Sequence, residues 1–549
     1  MAEYKWFQGL TEGMDQATDP ILTSGSQLLK NVVFDEPGNI SSRAGSDLVG
    51  SRVSTDQGFG LFDYNTTDGL HYLFLVTQRD LYVLNESTGW GTAIDTDEWT
   101  ADKRVNGIDF LNRCYIGCES GSDPLAYTTG SAITDVVPSI GGHCLAVNKE
   151  ILAVGGNSLL PQVIFYSDPF TDNFWSATGT CAANADVGGT NFLDTTTGIF
   201  EADIEGAIIY NTTDGAMVTV VDWVSSTRIK TDGSTANWDN DTIYVMKNVF
   251  KQDGKCTGIV SFNENFVSFD EHNMYIWDPT SQWSSKLPTF GCVNERTIVN
   301  VNGYLFWLSY DAVYMWSGEG KPIDISAKIK NKITGYGLWE LIDWSKKYNF
   351  AAGSIESENK YLLSVGTLKT VSGAPASALT NAVFTFDIAN GNWTVRSYQD
   401  QFCAFTDFIN SANNRLLYAT GVTDAAVWKL GTGTVDDDDD ATGQSISVEI
   451  ITPEHQLLDK PFNSSQVTEY YVKYRSSSTV TVTDSVDRGT FSTLVTLPAA
   501  SSVSTVAIVP SANREGFTHA LKFVTTGTFT LEGYGFAYED LGTTRLAKL

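Results

Sequence analysis

Two acidic segments are the first candidates for chemistry, because hard cations favour carboxylate oxygens. One is the run of five aspartates at 436–440. Five consecutive aspartates repel one another and stay solvated, whereas calcium-binding loops alternate their acids with glycine and other residues. The other segment, 232–242, begins at Asp232 but lacks the D-x-[DN]-x-[DN]-G spacing of a calcium loop. We therefore expect a solvated run and a turn, with no metal site in either segment.

Residue types used in catalysis are present, but their spacing carries little information. Glycoside hydrolysis requires two carboxyls roughly 5–10 Å apart in a cleft, and Asp270 with Glu271 would be such a pair. In a chain with 65 acids such pairs arise by chance, and these two fall in the turn of a predicted hairpin. His272 lies in the same turn and His71 opens a strand, which favours surface or capping roles. The sequence has no GxSxG motif, and no phosphate-binding glycine loop precedes a helix. We predict no catalytic and no cofactor-binding residues.

The cysteines also fail to form a recognisable site. They are odd in number, scattered and without a CxxC pair: Cys114, Cys118, Cys144, Cys181, Cys256, Cys292 and Cys403. Of the five histidines, only His143 adjoins a cysteine, so the ligand set of a zinc site is not apparent. We expect buried free thiols on strands, which suits synthesis in a reducing cytosol.

The charge of the chain restricts its partners. Its 65 acidic and 35 basic residues give a net charge of −30. Residues 441–549 contain 10 acids and 8 bases, a net of −2, which leaves −28 on residues 1–440. This composition does not provide the basic surface that binding to nucleic-acid phosphates requires. Two explanations of the acid excess stay open: a surface past which DNA slides without adsorbing, and solubility alone.

Hydropathy gives no reason to expect membrane insertion. No window approaches the run of about 18 apolar residues that spans a bilayer. The N-terminal residues also lack the basic start and apolar core of a secretory signal.

The elements that would have to position any site are predicted to be strands. Five segments share one pattern, an apolar strand, a polar turn and a second strand with aromatic residues, at 72–85, 265–278, 303–317, 382–395 and 415–430. Two further stretches, 113–128 and 163–175, look related. A hairpin repeated roughly every forty residues indicates a β-propeller, because one hairpin cannot bury its own apolar face and stacked blades can.

The rest of the chain departs from this repeat. The pattern stops between about 177 and 248, which reads as an inserted module. Residues 446–549 contain six or seven short alternating strands, which indicate a sandwich. We predict an all-β chain with an N-terminal arm at 1–55, a β-propeller at 56–176 and 249–432, an inserted small β-module at 177–248, an acidic linker at 433–445 and a C-terminal β-sandwich at 446–549. The arm is expected to close the propeller or to contact a neighbouring subunit.

An aromatic stripe follows the second strands of the hairpins. Its members are Tyr82, Tyr275, Trp277, Tyr314, Trp316, Trp393 and Trp428. Such rings could stack on sugars, but the repeat favours packing between blades.

Three segments of the chain resemble sequences of known phage proteins. The stretch at 26–46, SQLLKNVVFDEPGNISSRAGS, looks like the opening of phage proteins in which an "NV…EPG…R.G" stretch precedes a propeller. The block at 291–329, which ends in KPIDISAKI, resembles a blade of the tail nozzle family of short-tailed bacteriophages, also described as tail tubular or packaged-DNA stabilisation proteins. The strands at 467–485 and 520–540 look like the closing domain of that group. The module at 177–248 is a departure from the family pattern.

The resemblance implies a homo-oligomeric ring, a hexamer, below the portal and tail adaptor. The ring would retain the packaged genome until attachment and then let DNA pass through its channel without specific binding. Tail spikes, fibres or a needle would dock on it. The protein would be part of the virion tail, assembled in the host cytoplasm, and the family has no catalytic residues to carry over.

Two alternatives from other classes stay open. One is an enzyme, a tail-associated glycan depolymerase built on a propeller, which would need two converging carboxylates in a cleft. The other is a receptor-binding tail protein, which would present exposed trimeric tips in place of a closed ring.

Overall fold

The structure is a computed structural model that describes residues 3–7, 10, 12–19, 22–34, 39–136, 140–331, 337–372, 374, 379–438, 442–459 and 463–542. Nearly all of its regular elements are strands, because β-branched and aromatic residues alternate with polar ones between glycine-rich and asparagine-rich turns. Its helices are short 3₁₀ turns at Glu295–Thr297, Ala327–Ile329, Trp344–Asn349 and Glu356–Glu358. None of the described helices is long and apolar enough to span a membrane.

Within the described ranges, seven antiparallel blades follow one another around an axis, each with four strands from the inside outwards. The predicted all-β propeller is thereby confirmed. Blade 1 has strands Gly60–Asn65, His71–Val76, Leu81–Asn85 and Gly89–Trp90; blade 2 has Val105–Phe110, Arg113–Cys118, Ala126–Thr128 and Ile133–Asp135; blade 3 has Cys144–Asn148, Ile151–Gly155, Val163–Tyr166 and Val249–Lys251; blade 4 has Gly258–Phe262, Asn265–Phe269, Asn273–Asp278 and Trp283–Pro288.

The remaining blades complete the ring. Blade 5 has strands Val299–Val301, Tyr304–Leu308, Val313–Trp316 and Ile323–Asp324; blade 6 has Ala351–Ile355, Lys360–Gly366, Ala382–Asp387 and Asn392–Ser397; blade 7 has Phe402–Ile409, Arg415–Gly421, Val427–Leu430 and Ser46–Leu48, and its sheet continues into Val435–Asp437 and Gly443–Ser445. The inner strand of blade 7 contacts the inner strand of blade 1, so the ring is closed.

Separate apolar clusters fill the interfaces between neighbouring blades, and the aromatic stripe lies in them. Trp277 is 2% exposed and stacks between Phe250 of blade 3 and Phe266 of blade 4, with both ring centroids at 4.6 Å. Trp316 belongs to the cluster between blades 4 and 5, and Trp428 to the one between blades 6 and 7. Burial of these rings stabilises the stacking of the blades, and replacing one buried ring by alanine should cost about 3–5 kcal/mol. Packing between blades therefore accounts for the stripe.

The inserted module is a six-stranded sheet carried between the third and fourth strands of blade 3. Its strands are Ala177–Thr180, Phe192–Asp194, Ile208–Asn211, Met217–Ser225, Arg228–Thr231 and Thr242–Met246. One face has its own core around Trp238 and Ile243. Through Ile208 and Met246 the other face packs on the cluster that joins blades 2 and 3. The module is therefore fixed to the propeller wall.

The C-terminal sandwich has two sheets. The first contains Glu3–Phe7, Val32–Phe34, Ile40–Ser42, Ser465–Ser476, Ala500–Ile508, Glu515–Gly516 and Phe529–Asp540. The second contains Leu28–Lys30, Ser447–Ile451, Val480–Val486, Ser492–Leu497 and His519–Thr526. Strand Leu28–Lys30 also pairs in parallel with the outer strand of blade 6, so that blade and the second sheet form one nine-stranded sheet.

The first 55 residues, predicted as an arm that closes the propeller or contacts a neighbouring subunit, do close the propeller, and they also build part of the sandwich. Four of their strands complete the sandwich, and Ser46–Leu48 adds the fourth strand of blade 7. Val32–Phe34 pairs locally with Ile40–Ser42, but the other strands of this segment pair with residues hundreds of positions away, so the sequence does not mark them as part of the blade pattern. A close approach holds the closing strand: a Cβ added at Gly45 would meet the carbonyl oxygen of Val435 at 1.7 Å, so only glycine fits there.

A buried ion pair fixes this closure. Arg43 donates from Nη1 and Nη2 to both carboxylate oxygens of Asp436 at 2.8 and 2.5 Å, and the two side chains are 0% and 5% exposed. The guanidinium also donates to the Ser397 carbonyl of blade 6 at 2.7 Å, and it lies 4.1 Å above the ring of Tyr398. Our prediction of an exposed acidic linker at 433–445 is therefore wrong at Asp436, which is buried on the strand Val435–Asp437.

Replacing Arg43 with alanine should destabilise the protein by about 3–5 kcal/mol, because Asp436 would keep its desolvation cost without its partner. Arg79→Ala is the matched control, since Arg79 and Asp97 form a pair whose side chains are 49% and 77% exposed. Urea denaturation followed by tryptophan fluorescence measures both variants. Equal midpoints for the two variants would contradict the assigned role of Arg43.

Candidate functional site

The carboxyl and histidine candidates considered from the sequence do not converge on one site: Asp270, Glu271 and His272 share a hairpin turn, and His71 lies in blade 1. Asp270 accepts hydrogen bonds from His272 N at 2.7 Å, Asn273 N at 2.6 Å and Tyr275 Oη at 2.8 Å, all within its own hairpin. Glu271 is exposed and pairs with Lys347 at 3.2 Å. This carboxyl pair therefore stabilises turns and surface contacts. His71 is likewise used locally, through a short hydrogen bond with Asn65.

The two acidic segments bind protein groups. Besides Asp436, Asp437 accepts from the Leu48 amide at 3.1 Å and Asp438 from the Thr442 amide at 2.8 Å, while Asp439 and Asp440 lie outside the described residues. In the segment 232–242 three acids bond to different parts of the module: Asp232 with Thr219 N at 2.6 Å, Asp239 with Ala185 N at 2.8 Å and Asp241 with Asn211 Nδ2 at 2.7 Å. All seven cysteines are buried and free, as predicted.

Sequence reasoning missed a buried ion cluster at the end of the propeller axis where the inner strands begin. Arg104, just before the inner strand of blade 2, donates to Glu295 Oε2 at 2.8 Å and from Nε and Nη2 to Glu119 at 3.3 and 3.2 Å. His143, just before the inner strand of blade 3, has its Nε2 3.3 Å from Glu295 Oε2. Tyr348 donates to Glu119 at 2.7 Å. We call these five side chains the axial cluster.

The 3₁₀ turn Glu295–Thr297, just before blade 5, positions Glu295 of the axial cluster and places the neighbouring Arg296 across the propeller axis. Asn294 caps this turn by accepting from the Arg296 amide at 3.1 Å. The Arg296 guanidinium then donates to the carbonyls of Cys403 at 3.1 Å and Val105 at 3.4 Å, and to that of Phe59 through a shorter bond. These carbonyls belong to blades 7 and 2 and to the entry of blade 1. Arg296 therefore obstructs the axis at this end.

The pKa values of the axial cluster keep its acids and His143 charged at neutral pH. Burial alone would raise the pKa of Glu119, but the charge and hydrogen bonds of Arg104 lower it to about 2. For Glu295 the same competition between burial and Arg104, helped by His143, holds the pKa well below its usual range. Burial lowers the pKa of His143, but Cys144 and Glu295 outweigh it and raise the value to about 9. The cluster is therefore a set of ion pairs at neutral pH, which joins blades 2, 3 and 5.

Three groups of this region have the spacing of metal ligands. Potential ligand atoms of His143, Cys144 and Glu295 all lie within 4.8 Å of one another. The carboxylate of Glu295, however, already accepts from Arg104 and from Asn106 Nδ2, the latter at 3.3 Å. A dication bound there would face a buried guanidinium at close range, which is unfavourable in a low dielectric. The chemistry of the site therefore suits a structural ion network better than a metal centre.

A second group of carboxyls lies on the inner strands of blades 7, 1 and 2. Burial raises the pKa of Asp109 to about 7 and that of Asp407 to about 6, and it also raises the pKa of Asp63. Asp109 accepts from the Asn65 amide at 2.9 Å, and Asp407 pairs with Arg415 at 3.1 Å. Part of the acid excess therefore lies at the hub of the propeller, where it is only partly exposed.

Comparison with known proteins gives a likeness of fold alone. No protein-family model matches the chain, and no curated protein does. Among solved structures, virginiamycin B lyase from Staphylococcus aureus has 8% identity and a TM-score of 0.38, and the alignment covers 71% of this chain and 98% of that one. The Pan2 WD40 domain of Neurospora crassa has 7% identity, a TM-score of 0.35 and coverages of 71% and 95%. BamB from Moraxella catarrhalis has 13% identity, a TM-score of 0.31 and coverages of 71% and 100%. The matched proteins are β-propellers, and nothing about function follows from such low similarity.

The raised pKa of His143 predicts a pH dependence of stability. Between about pH 6.5 and 9 the folded state keeps a proton that the unfolded state loses, so the free energy of unfolding should fall as pH rises, by at most about 1.4 kcal/mol per pH unit. His143→Gln should flatten this slope, whereas the surface control His272→Gln should keep it. Urea denaturation of both variants and the wild type at several pH values measures the slopes. A wild-type slope retained in His143→Gln would contradict the assignment.

Proposed function

We propose that this chain is a structural subunit of the tail of a short-tailed bacteriophage, a nozzle protein whose copies form a ring of six around the passage for the genome. In this proposal the ring lies below the portal and adaptor, retains the packaged DNA until attachment and then lets it pass. Spikes, fibres or a needle dock on it. The protein belongs to the virion, is assembled in the host cytoplasm and catalyses no reaction.

The observation that carries the proposal is the continuous sheet that joins blade 6 to the sandwich through Leu28–Lys30. Domains joined by flexible linkers move relative to one another by default. Here a shared sheet, a common apolar core and the buried pair Arg43–Asp436 join propeller and sandwich instead. A channel wall under load from packed DNA requires such stiff subunits.

The obstruction of the propeller axis by Arg296 supports a passage between subunits. Arg296 spans the axis of the propeller from blade 5 to blades 7 and 2, so a duplex could not thread through a single chain at that point. A channel would then be enclosed by several copies, which requires heterologous contacts repeated around a closed ring. The charge of −28 on residues 1–440 would repel DNA from the wall and prevent adsorption.

The alternative class, a receptor-binding or glycan-depolymerising tail protein, has one specific observation in its favour. Asp109 and Asp407 have raised pKa values, which suit a general acid in glycoside hydrolysis. Their positions at the inner strands, with hydrogen-bond or ion-pair partners within the propeller, suit buried structural carboxyls better.

Negative-stain electron microscopy of the purified full chain should reveal closed rings with a central bore, because stiff subunits with heterologous contacts close into rings. The same preparation should leave host surface polysaccharides intact. Trimeric spikes would support receptor binding. Polysaccharide cleavage that disappears in Asp109→Asn would support the depolymerase. Either result would contradict the nozzle proposal.

A further inference from the structure

A cleft of about 430 Å³ lies where blade 6 meets the segment that leads into the closing strand Ser46–Leu48. We call it the blade 6 cleft. Blade 6 contributes four charged side chains to its wall: Glu358, Lys360, Asp387 and Arg396. The opposite wall includes Ala44 and Gly431. A volume of this order is sufficient for a small-molecule ligand.

Arg396 is the most unusual group of the blade 6 cleft. Its side chain is 3% exposed, yet its hydrogen bonds are few. Nη1 donates to Tyr398 Oη at 3.4 Å, and Nη2 lies 4.0 Å from Glu358 Oε2, which is beyond hydrogen-bonding distance. Nε is buried without a hydrogen-bond partner among the described residues. Burial of a charged donor is costly without acceptors, so this guanidinium calls for an acceptor from outside the chain.

Lys360 adds a second buried cation to the same wall. Its side chain is 9% exposed, and Nζ donates to Glu358 Oε2 at 2.6 Å. The same carboxylate oxygen is therefore the nearest acid to both Lys360 and Arg396. An arginine and a lysine together carry many more N–H donors than these contacts use. The two cations leave a surplus of charged donors at the cleft.

Arg43 shows how this fold treats a buried guanidinium with a structural role. Its side chain is 0% exposed. Nε donates to Asn31 Oδ1 at 3.0 Å, Nη1 to Asp436 Oδ1 at 2.8 Å and Nη2 to the Ser397 carbonyl at 2.7 Å. All three nitrogens of Arg43 thus have acceptors within the chain. The contrast with Arg396 indicates that Arg396 is placed for a ligand.

The two acids of the cleft restrict the kind of ligand. Asp387 accepts from the amide and Nδ2 of Asn390 at 3.0 and 3.1 Å, which leaves lone pairs on both carboxylate oxygens. Glu358 is 39% exposed. Carboxylates accept hydrogen bonds from hydroxyl groups. A ligand that satisfies the whole wall therefore presents oxyanion oxygens to the cations and hydroxyl groups to the acids.

We propose that the blade 6 cleft binds a small oxyanion that also carries hydroxyl groups, namely a sugar acid or a sugar phosphate. Arg396 and Lys360 bind its carboxylate or phosphate group through charge-assisted hydrogen bonds, and the planar guanidinium matches two oxygens of either group. Glu358 and Asp387 accept from its hydroxyl groups. The inference goes beyond the proposed function, because it requires neither a ring nor a phage tail.

Isothermal titration calorimetry on the full chain tests the inference with glucuronate, glucose 6-phosphate and glucose. At least one of the two oxyanions should bind saturably and at least about tenfold more tightly than glucose, because glucose lacks the charged group. Arg396→Met should weaken that binding by at least about tenfold. Lys429→Met is the matched control: it removes one positive charge from blade 7, where Lys429 pairs with Asp47 at 3.2 Å, and should bind as the wild type does.

A second variant keeps both cations and fills the cleft. Ala44 is exposed, so Ala44→Phe adds a ring at the wall opposite blade 6 and should also weaken binding at least about tenfold. Circular dichroism verifies the fold of each variant, and Ala44→Phe decides if Arg396→Met does not fold. The inference is overturned if neither oxyanion binds, if glucose binds as tightly, or if a folded cleft variant keeps wild-type affinity. Equal weakening by Lys429→Met also overturns it, because the effect would then be one of overall charge.

Discussion

A propeller persists only if its last blade is held against its first, and in this chain that closure depends on the ion pair between Arg43 and Asp436. Such a buried pair offsets the desolvation of its two charges only when further hydrogen bonds satisfy both partners. Asn31 and the Ser397 carbonyl accept from the guanidinium, and Ser46 donates to the carboxylate at 3.0 Å. Because the closing strand belongs to a segment that also completes the sandwich, the same pair holds the sandwich against blades 6 and 7.

Two kinds of interaction hold the blades of the propeller together. Apolar clusters between blades supply the burial that a single hairpin cannot, and they account for the aromatic stripe. The axial cluster fixes how the blades are placed relative to one another. The ion pairs of Arg104 with Glu119 and Glu295 form only when blades 2 and 5 are in this arrangement. The propeller is therefore held together between its blades and at its axis, which Arg296 obstructs. In the proposed ring, such propellers would form part of the wall around the bore.

The sequence predicted those parts of the fold whose contacts are local. The hairpins at 265–278 and 303–317 are the middle strands of blades 4 and 5, and their turns are short enough to read directly. The sequence does not reveal the number of blades. Some fourth strands have only two residues, as at Gly89–Trp90, and the fourth strand of blade 3 follows the inserted module. The closing pair joins residues 393 positions apart, and Arg104 lies 191 positions from Glu295. Neither pairing leaves a local pattern, so both the closure and the axial cluster were missed.

A reconstruction of the assembled protein by cryo-electron microscopy tests the central claim most directly, because it locates the bore relative to each propeller. We predict a bore enclosed by neighbouring copies, with every propeller axis still obstructed at Arg296. A bore that runs along the axis of a single propeller, or an assembly without any bore, would contradict it.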